Sequence, residues 1–419
     1  MGANCRGGGS KLYGCGAGVR RAAARPAALP LGRRAVLALV GGAAAAAATS
    51  VAGTPQASAG PLEFEVDPGT GLQRVKYDPA GWSFWKWRGH RVHYIAAGAD
   101  NTGPPVLLIH GYGASAYHWR WQLPVLAAAG YRAYAVCLLG FGWSDKAVTD
   151  YGAGNLWADQ LADFCKEVIN GAGAGGGSAE GAEGAAAAAA AASGTAAAAA
   201  APEPAILCGN SLGGYAALVT AARNPDLVRG LCLVNSAGPL KSDAEDDPSA
   251  DDVDGTAPPT PRAWWAPAAD AATAAVKRVV LFFAFQRARQ PERIKEVLSM
   301  VYTNSQSSID DDLVESIRVP ATDPNAAEVF YRINASSPSQ PPSVNALMRR
   351  LRALQLPTLL LWGQNDPWIV MSRAQRLKAI YPEASLVSID AGHCGHDEAP
   401  AQANEALLNW LAGLRAAKA

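Results

Sequence analysis

The chain has 419 residues, with 36 Lys and Arg set against 36 Asp and Glu, and nearly half its residues are apolar. That length accommodates one large domain with additions. The balanced charge leaves no basic surplus for nucleic acid and no acidic surplus that would hold the chain open. None of the seven cysteines sits in a C-x-x-C pair, so they carry no zinc spacing and read as small buried hydrophobes rather than a disulfide framework.

The first 62 residues contain no acid but hold Arg6, Lys11, Arg20, Arg21, Arg25, Arg33 and Arg34. A basic, alanine-rich leader of this kind reads as an organelle transit segment, residues 1–60, and is set aside from the fold. The organelle expected is a plastid ahead of a mitochondrion. Arg33-Arg34, the apolar run Ala35 to Ala48 and Ala57-Ser58-Ala59 form a pattern like a twin-arginine signal with an A-x-A cleavage site. That pattern would direct a chloroplast protein to the thylakoid lumen; a plain transit peptide would leave it in the stroma. The apolar run is short for a transmembrane helix.

After the leader, Trp85–Trp87 and Arg91–Ile95 flank Arg88-Gly89-His90 and read as a hairpin. Val106–Ile109 is a compact strand, His118–Ala129 a helix, Tyr131–Leu139 a strand and Leu156–Ile169 a helix. Residues 171–201 are almost wholly Gly and Ala, which bury little apolar surface per residue ordered, so a flexible surface insertion is expected. Ala205–Cys208 is a strand, Leu212–Arg223 a helix and Leu231–Val234 a strand. Residues 241–262 carry seven acids without the ligand spacing of a calcium loop and read as a disordered acidic loop. Ala275–Phe285, Glu292–Val301 and Leu313–Val319 read as helices. Thr358–Trp362 and Ser385–Ile389 are strands with Arg373–Ile380 helical between them, and Ala403–Leu414 closes the chain as a helix. Alternation of this kind means a mostly parallel sheet covered on both faces. The expected division is a core from 61–237 and 355–419, with a helical cap over 238–354.

Gly209-Asn210-Ser211-Leu212-Gly213 fits G-x-S-x-G between a strand and a helix, the context that perches a serine hydroxyl above the sheet. Serine needs a base, and only His393 and His396 follow Ser211. His393 comes directly after the strand Ser385–Ile389 and is the expected base; His396 reads as a helix-entry residue. Asp366, after the strand Thr358–Trp362, is the expected carboxylate that orients the imidazole. Asn235, at the rival position after Leu231–Val234, cannot carry the charge. His110-Gly111-Tyr112-Gly113 follows the strand Val106–Ile109, so the Tyr112 and Leu212 backbone N–H groups are the expected oxyanion hole, and His110 a structural residue beneath it. Together these features specify the α/β-hydrolase fold, with the cap inserted after strand 6. No metal and no organic cofactor are expected.

His110–Gly113, Leu139–Lys146, Trp157–Leu161, Gly209–Gly214, Asp366–Trp368 and Gly392–Pro400 resemble the plastid α/β-hydrolases of plants and algae, the group of pheophytinase and chlorophyll dephytylase-type serine hydrolases. The resemblance spans roughly residues 82–414, less the two insertions. It implies a serine esterase acting on a lipophilic ester, such as the phytyl ester of chlorophyll or pheophytin, with peripheral contact at the thylakoid membrane. Two positions depart from that group: Cys137, where Asp is frequent, and Gly395, where Pro is frequent. Serine at 211 argues against a dehalogenase or epoxide hydrolase, which need an aspartate nucleophile. A cofactor-free haloperoxidase, a C–C bond hydrolase and a non-catalytic binding protein stay open. Trp143, Trp264, Trp265, Phe282, Phe283, Phe285 and Tyr302 are candidate pocket aromatics.

Overall fold

A computed structural model describes residues 62–152, 155–171, 202–242, 245–246, 266–335 and 341–416. The targeting segment, the Gly/Ala insertion beyond Gly171 and most of the acidic loop, together with Trp264 and Trp265, lie outside the described residues.

Two short strands, β1 (Phe64–Val66) and β2 (Gln73–Val75), pair antiparallel. The other eight form one sheet: β3 (Ser83–Trp87), β4 (His90–Ala97), β5 (Pro105–Ile109), β6 (Arg132–Val136), β7 (Ala205–Asn210), β8 (Val228–Val234), β9 (Thr358–Gly363) and β10 (Ser385–Ile389). Their order is β10-β9-β8-β7-β5-β6-β4-β3. The hairpin β3–β4 turns through Arg88 and Gly89, both with positive φ, which matches the right-handed twist of its strands. β4 pairs antiparallel with β6, and every pairing from β6 to β10 is parallel.

β5, β7 and β9 are buried along their whole length, which explains why they read as unbroken apolar runs. Their side chains still alternate between two layers. Leu107, Leu207, Leu231 and Leu360 belong to one core, and Val106, Leu108, Ile206 and Leu359 to the other. Helices cover both faces: α1 (Gln122–Ala128), α2 (Asn155–Phe164) and α3 (Leu212–Arg223) before β8, then α9 (Met371–Ile380), α10 (Gly395–Glu398) and α11 (Pro400–Ala416) after β9. The helix expected over His118–Ala129 is split. Ala116–Trp119 is a 3₁₀ turn, and α1 starts only at Gln122. Pro124 has no N–H to give to the Arg120 carbonyl, so Pro fits only in the first turn. That carbonyl accepts instead from Val75 N–H at 2.9 Å, tying β2 to the core.

Between β8 and β9, the sixth and seventh strands of the large sheet, the described chain is helical: α4 (Ala266–Ala288), α5 (Pro291–Val301), α6 (Asp311–Arg318), α7 (Ala326–Asn334) and α8 (Val344–Ala353). α5 and α6 share a small apolar cluster of Ile294, Leu298, Val301, Tyr302, Leu313 and Val314 with Cys394. α8 belongs to the main core instead, burying Val344, Leu347, Met348 and Leu351 beside Tyr215 and Leu218 of α3.

Candidate active site

Ser211 sits between β7 and α3 with φ 54° and ψ −117°, a conformation that a non-glycine residue adopts only under constraint. The constraint is close packing of backbone. A Cβ on Gly213 would lie 2.4 Å from the carbonyl oxygens of Ile109 and His110, and one on Gly209 would lie 2.3 Å from Gly213 O. Only glycine permits that approach. Ser211 N–H donates to Val234 O at 3.0 Å, which fixes the turn against β8.

His393 lies in the loop after β10, at 4% exposure. Its N–H donates to Val301 O at the end of α5 (2.9 Å), and its carbonyl accepts from Asn210 Nδ2 (3.0 Å). The Ser211 turn, the histidine loop and the inserted helices therefore share one hydrogen-bonded frame. His393 Nδ1 lies 2.7 Å from Asp366 Oδ2. Asp366 Oδ1 accepts from the N–H groups of Trp368 (2.8 Å) and Ile369 (2.9 Å), and Oδ2 also accepts from Asn235 Nδ2 at 2.7 Å. Burial works to raise the Asp366 pKa, but the bond and charge of His393 and the two backbone donors outweigh it, so the carboxyl lies below its ordinary range. An ionised carboxylate only accepts, so Nδ1 carries a hydrogen; in the neutral ring that arrangement leaves the lone pair on Nε2.

Ser211, His393 and Tyr112 line one cavity of about 310 Å³, together with His118, Ile294, Leu298, Val301, Trp368 and Cys394. A second lobe of about 170 Å³ adjoins it through Tyr112, Gly113, Ala288 and Ile317, and is walled by Phe141, Phe285, Val329 and Phe330. Asp366 stands behind His393, 3% exposed. Leu212 heads α3 directly after Ser211. Neither the Tyr112 N–H nor the Leu212 N–H has an acceptor among the described residues. Two backbone donors without acceptors therefore border the cavity and the turn that Ser211 occupies.

The family follows from the match between sequence and this architecture: residues 104–400 fit the alpha/beta hydrolase fold family. The chain belongs to that family. Pheophytinase, chloroplastic, of Arabidopsis thaliana is 28% identical over 363 residues, covering 77% of this hydrolase and 64% of that protein, so the chain spans under two thirds of that relative's length. The 2-hydroxy-6-oxononadienedioate/2-hydroxy-6-oxononatrienedioate hydrolase of Burkholderia vietnamiensis is 26% identical over 312 residues, 73% of this chain and 84% of that one. A crystal structure of haloalkane dehalogenase DbeA from Bradyrhizobium elkani matches with a TM-score of 0.55 at 20% identity, covering 80% of this hydrolase and 99% of that chain. At that identity the likeness is one of fold.

His93, His110, His118 and His396 are buried, and burial lowers the pKa of each. His110 Nε2 accepts from Leu138 N–H (3.1 Å), so Nδ1 must donate to Gly111 O (2.7 Å). Burial lowers its pKa to about 4, as befits a residue bracing the loop below Tyr112. His396 stacks on Trp119 at 4.1 Å, its pKa lowered by burial to about 3. His118 lines the cavity, and neither of its ring nitrogens has a partner among the described residues. Cys137 faces the His93 ring at 3.0 Å and accepts from Ala116 N–H.

Three contributors were not singled out from sequence. Asn235, set aside for lacking charge, holds Asp366 through Nδ2 and takes Gly363 N–H on Oδ1 at 2.9 Å. Its position at a strand carboxyl end was the available signal. Asn210 ties the serine turn to the histidine loop. Glu398 accepts from the N–H groups of Gly392 (2.6 Å), Asn304 (2.6 Å) and Ser305 (3.1 Å), joining that loop to the segment after α5. Of the candidate aromatics, Phe285 lines the second lobe, while Trp143 packs away from both lobes against Tyr77, Trp82 and His93. Tyr302 is buried, donating its hydroxyl to Asp397 at 2.6 Å.

Proposed function

We propose that this hydrolase is a serine esterase in which Ser211 is the nucleophile, His393 the general base and Asp366 the group that orients it. His393 Nε2 takes the Ser211 hydroxyl proton as Oγ attacks the ester carbonyl. The Tyr112 and Leu212 N–H groups receive the oxyanion. His393 then returns the proton to the departing alcohol, leaving an acyl-enzyme that water hydrolyses by the same route. The observation that carries this reading is the 2.7 Å Asp366–His393 contact beneath the cavity that His393 shares with Ser211 on its constrained turn.

The substrate class follows from the walls. The cavity holding Ser211 has no Lys or Arg in its lining and is mostly aliphatic and aromatic, which favours a lipophilic ester. A phytyl ester of chlorophyll or pheophytin fits that class, as does the relative named pheophytinase, chloroplastic. The acid-free leader and that relative together favour a chloroplast location. C–C bond cleavage, as the name of the Burkholderia relative describes, would use the same three side chains. A dioate substrate needs cationic partners: none lines the cavity holding Ser211, and in the adjoining lobe Lys146 is spent on the Gly142 and Ser144 carbonyls, which leaves Arg289.

The test sets wild type against Ser211→Ala on a short p-nitrophenyl ester, then wild type on chlorophyll, pheophytin, galactolipid and simple acyl esters. Ser211→Ala is expected to lose turnover while keeping the fold, and wild type to release phytol. Unchanged turnover by Ser211→Ala would remove the serine mechanism. Silence on both pigments would leave the esterase and remove the pigment.

A further inference from the structure

α4 has 23 residues and spans about 34 Å at helical rise. Its two long sides differ. Phe285 and Ala288 face the cavity lobes, Phe285 lies 5.3 Å from the Phe330 ring of α7, and Arg278 pairs with Glu328 of α7. On the other side Val276, Val279, Val280 and Phe283 recur at helical spacing and are 58–67% exposed, with Phe282 beside them at 46%. A contiguous stripe of large apolar side chains left in water is unusual for a surface helix, whose outer face is ordinarily polar.

Charge says what covers the stripe. Asp270 is the one acid in the stretch 266–291; Lys277 and Arg287 form no salt bridge among the described residues, Arg287 feeling only the charge of Glu296 on α5, while Arg289, just past the helix, lines the cavity lobe. Apolar side chains framed by unpaired cations match the boundary between anionic headgroups and acyl chains. A protein groove would meet the valines but leave the cations unanswered. Among the described residues no helix is long and apolar enough to cross a membrane, so α4 would lie in the surface.

We infer that α4 docks this hydrolase onto anionic lipid surfaces through Val276, Val279, Val280 and Phe283, with Lys277 and Arg287 at headgroup level. The inference extends the lipophilic-ester reading. The same helix would touch the lipid with one face and wall the cavity with the other, so an ester dissolved in acyl chains would reach Ser211 without crossing bulk water.

The full chain is tested by co-sedimentation with phosphatidylcholine vesicles containing a minor share of phosphatidylglycerol, alongside turnover of a water-soluble p-nitrophenyl ester and the elution volume of the protein alone. Wild type is expected to sediment with the vesicles. The double variant Val279→Ser/Phe283→Ser should partition at least about tenfold less. Arg287→Gln should bind about fivefold less on the anionic vesicles and unchanged on pure phosphatidylcholine. All three should turn over the soluble ester alike. Wild type staying in the supernatant, or a double variant that binds as wild type does, would overturn the inference. So would wild type eluting as a dimer that the double substitution splits, since the stripe would then join two copies. Sedimentation reads docking without turnover, so an inactive chain that still sediments would sink the esterase reading and uphold the docking helix.

Discussion

Helices α3 and α4 are both alanine-rich, and neither shows a clear polar stripe. α3 buries every residue from Gly213 to Ala222 among β7, β8, α2 and α8. α4 leans on α7 and leaves its valines in solvent. Similar composition therefore serves opposite ends. Around Ser211 the apolar circumference is used up by backbone-close packing, which fixes the hydroxyl. Over the cavity it is left free, held on one side by a ring contact and by the Arg278–Glu328 pair, a surface interaction of about 0.2–1 kcal/mol. The contrast makes the Ser211 turn the rigid member and α4 the adaptable one.

Perturbing the rigid side should have the largest effects. Asp366→Asn should lower kcat by about 10⁴-fold with the fold retained, because an amide N–H offered to Nδ1 turns the imidazole to the wrong tautomer; ester kinetics beside circular dichroism check this. The same substitution should flatten the acid side of the stability curve. The Asp366 pKa is depressed in the folded chain, so its contribution is present above about pH 4 and is lost as pH falls through the lower folded value. Melting temperatures of both forms between pH 6 and 3 test that sign.

Next comes Asp397, buried against Arg120 with an Nε–Oδ1 distance of 3.1 Å. Asp397→Asn should cost about 3 kcal/mol in urea unfolding, the lower end for breaking a buried pair, because Arg120 keeps Asp310 and the Ser308 carbonyl. Gly213→Ala should cost about 1–3 kcal/mol through overpacking against β5. Smallest is Val280→Ser on α4, expected within about 0.5 kcal/mol of wild type. If Val280→Ser cost as much as Gly213→Ala, the two helices would not differ as described. Amide exchange would sharpen the contrast, with α3 protected up to global unfolding and α4 opening sooner.

The core strands were readable because β5, β7, β9 and β10 are apolar runs bounded by turn residues, and the structure places them at or within a residue or two of the expected bounds. β1 and β2 were not read: FEV and QRV are three residues each, half charged or polar, and owe their order to Arg74, which reaches Glu65 and Asp310 far along the chain. α8 was hidden by the preceding Pro-rich run. At the site, Ser211, His393 and Asp366, which the structure brings together, were legible from motif and chain order. The neutral amides Asn210 and Asn235 were not, because a supporting hydrogen bond leaves no pattern until two distant loops are brought together. The exposure of α4 was equally invisible, since an apolar helix without a polar stripe reads as buried.

The central claim, a hydroxyl made nucleophilic by an imidazole from the far end of the chain, is tested most directly by mass spectrometry after treatment with a fluorophosphonate. Attack by Ser211 Oγ on phosphorus expels fluoride and leaves a stable adduct. The account predicts one adduct per chain, on the peptide bearing Ser211, and its loss in His393→Ala. An adduct elsewhere, or undiminished labelling of Ser211 without His393, would contradict it.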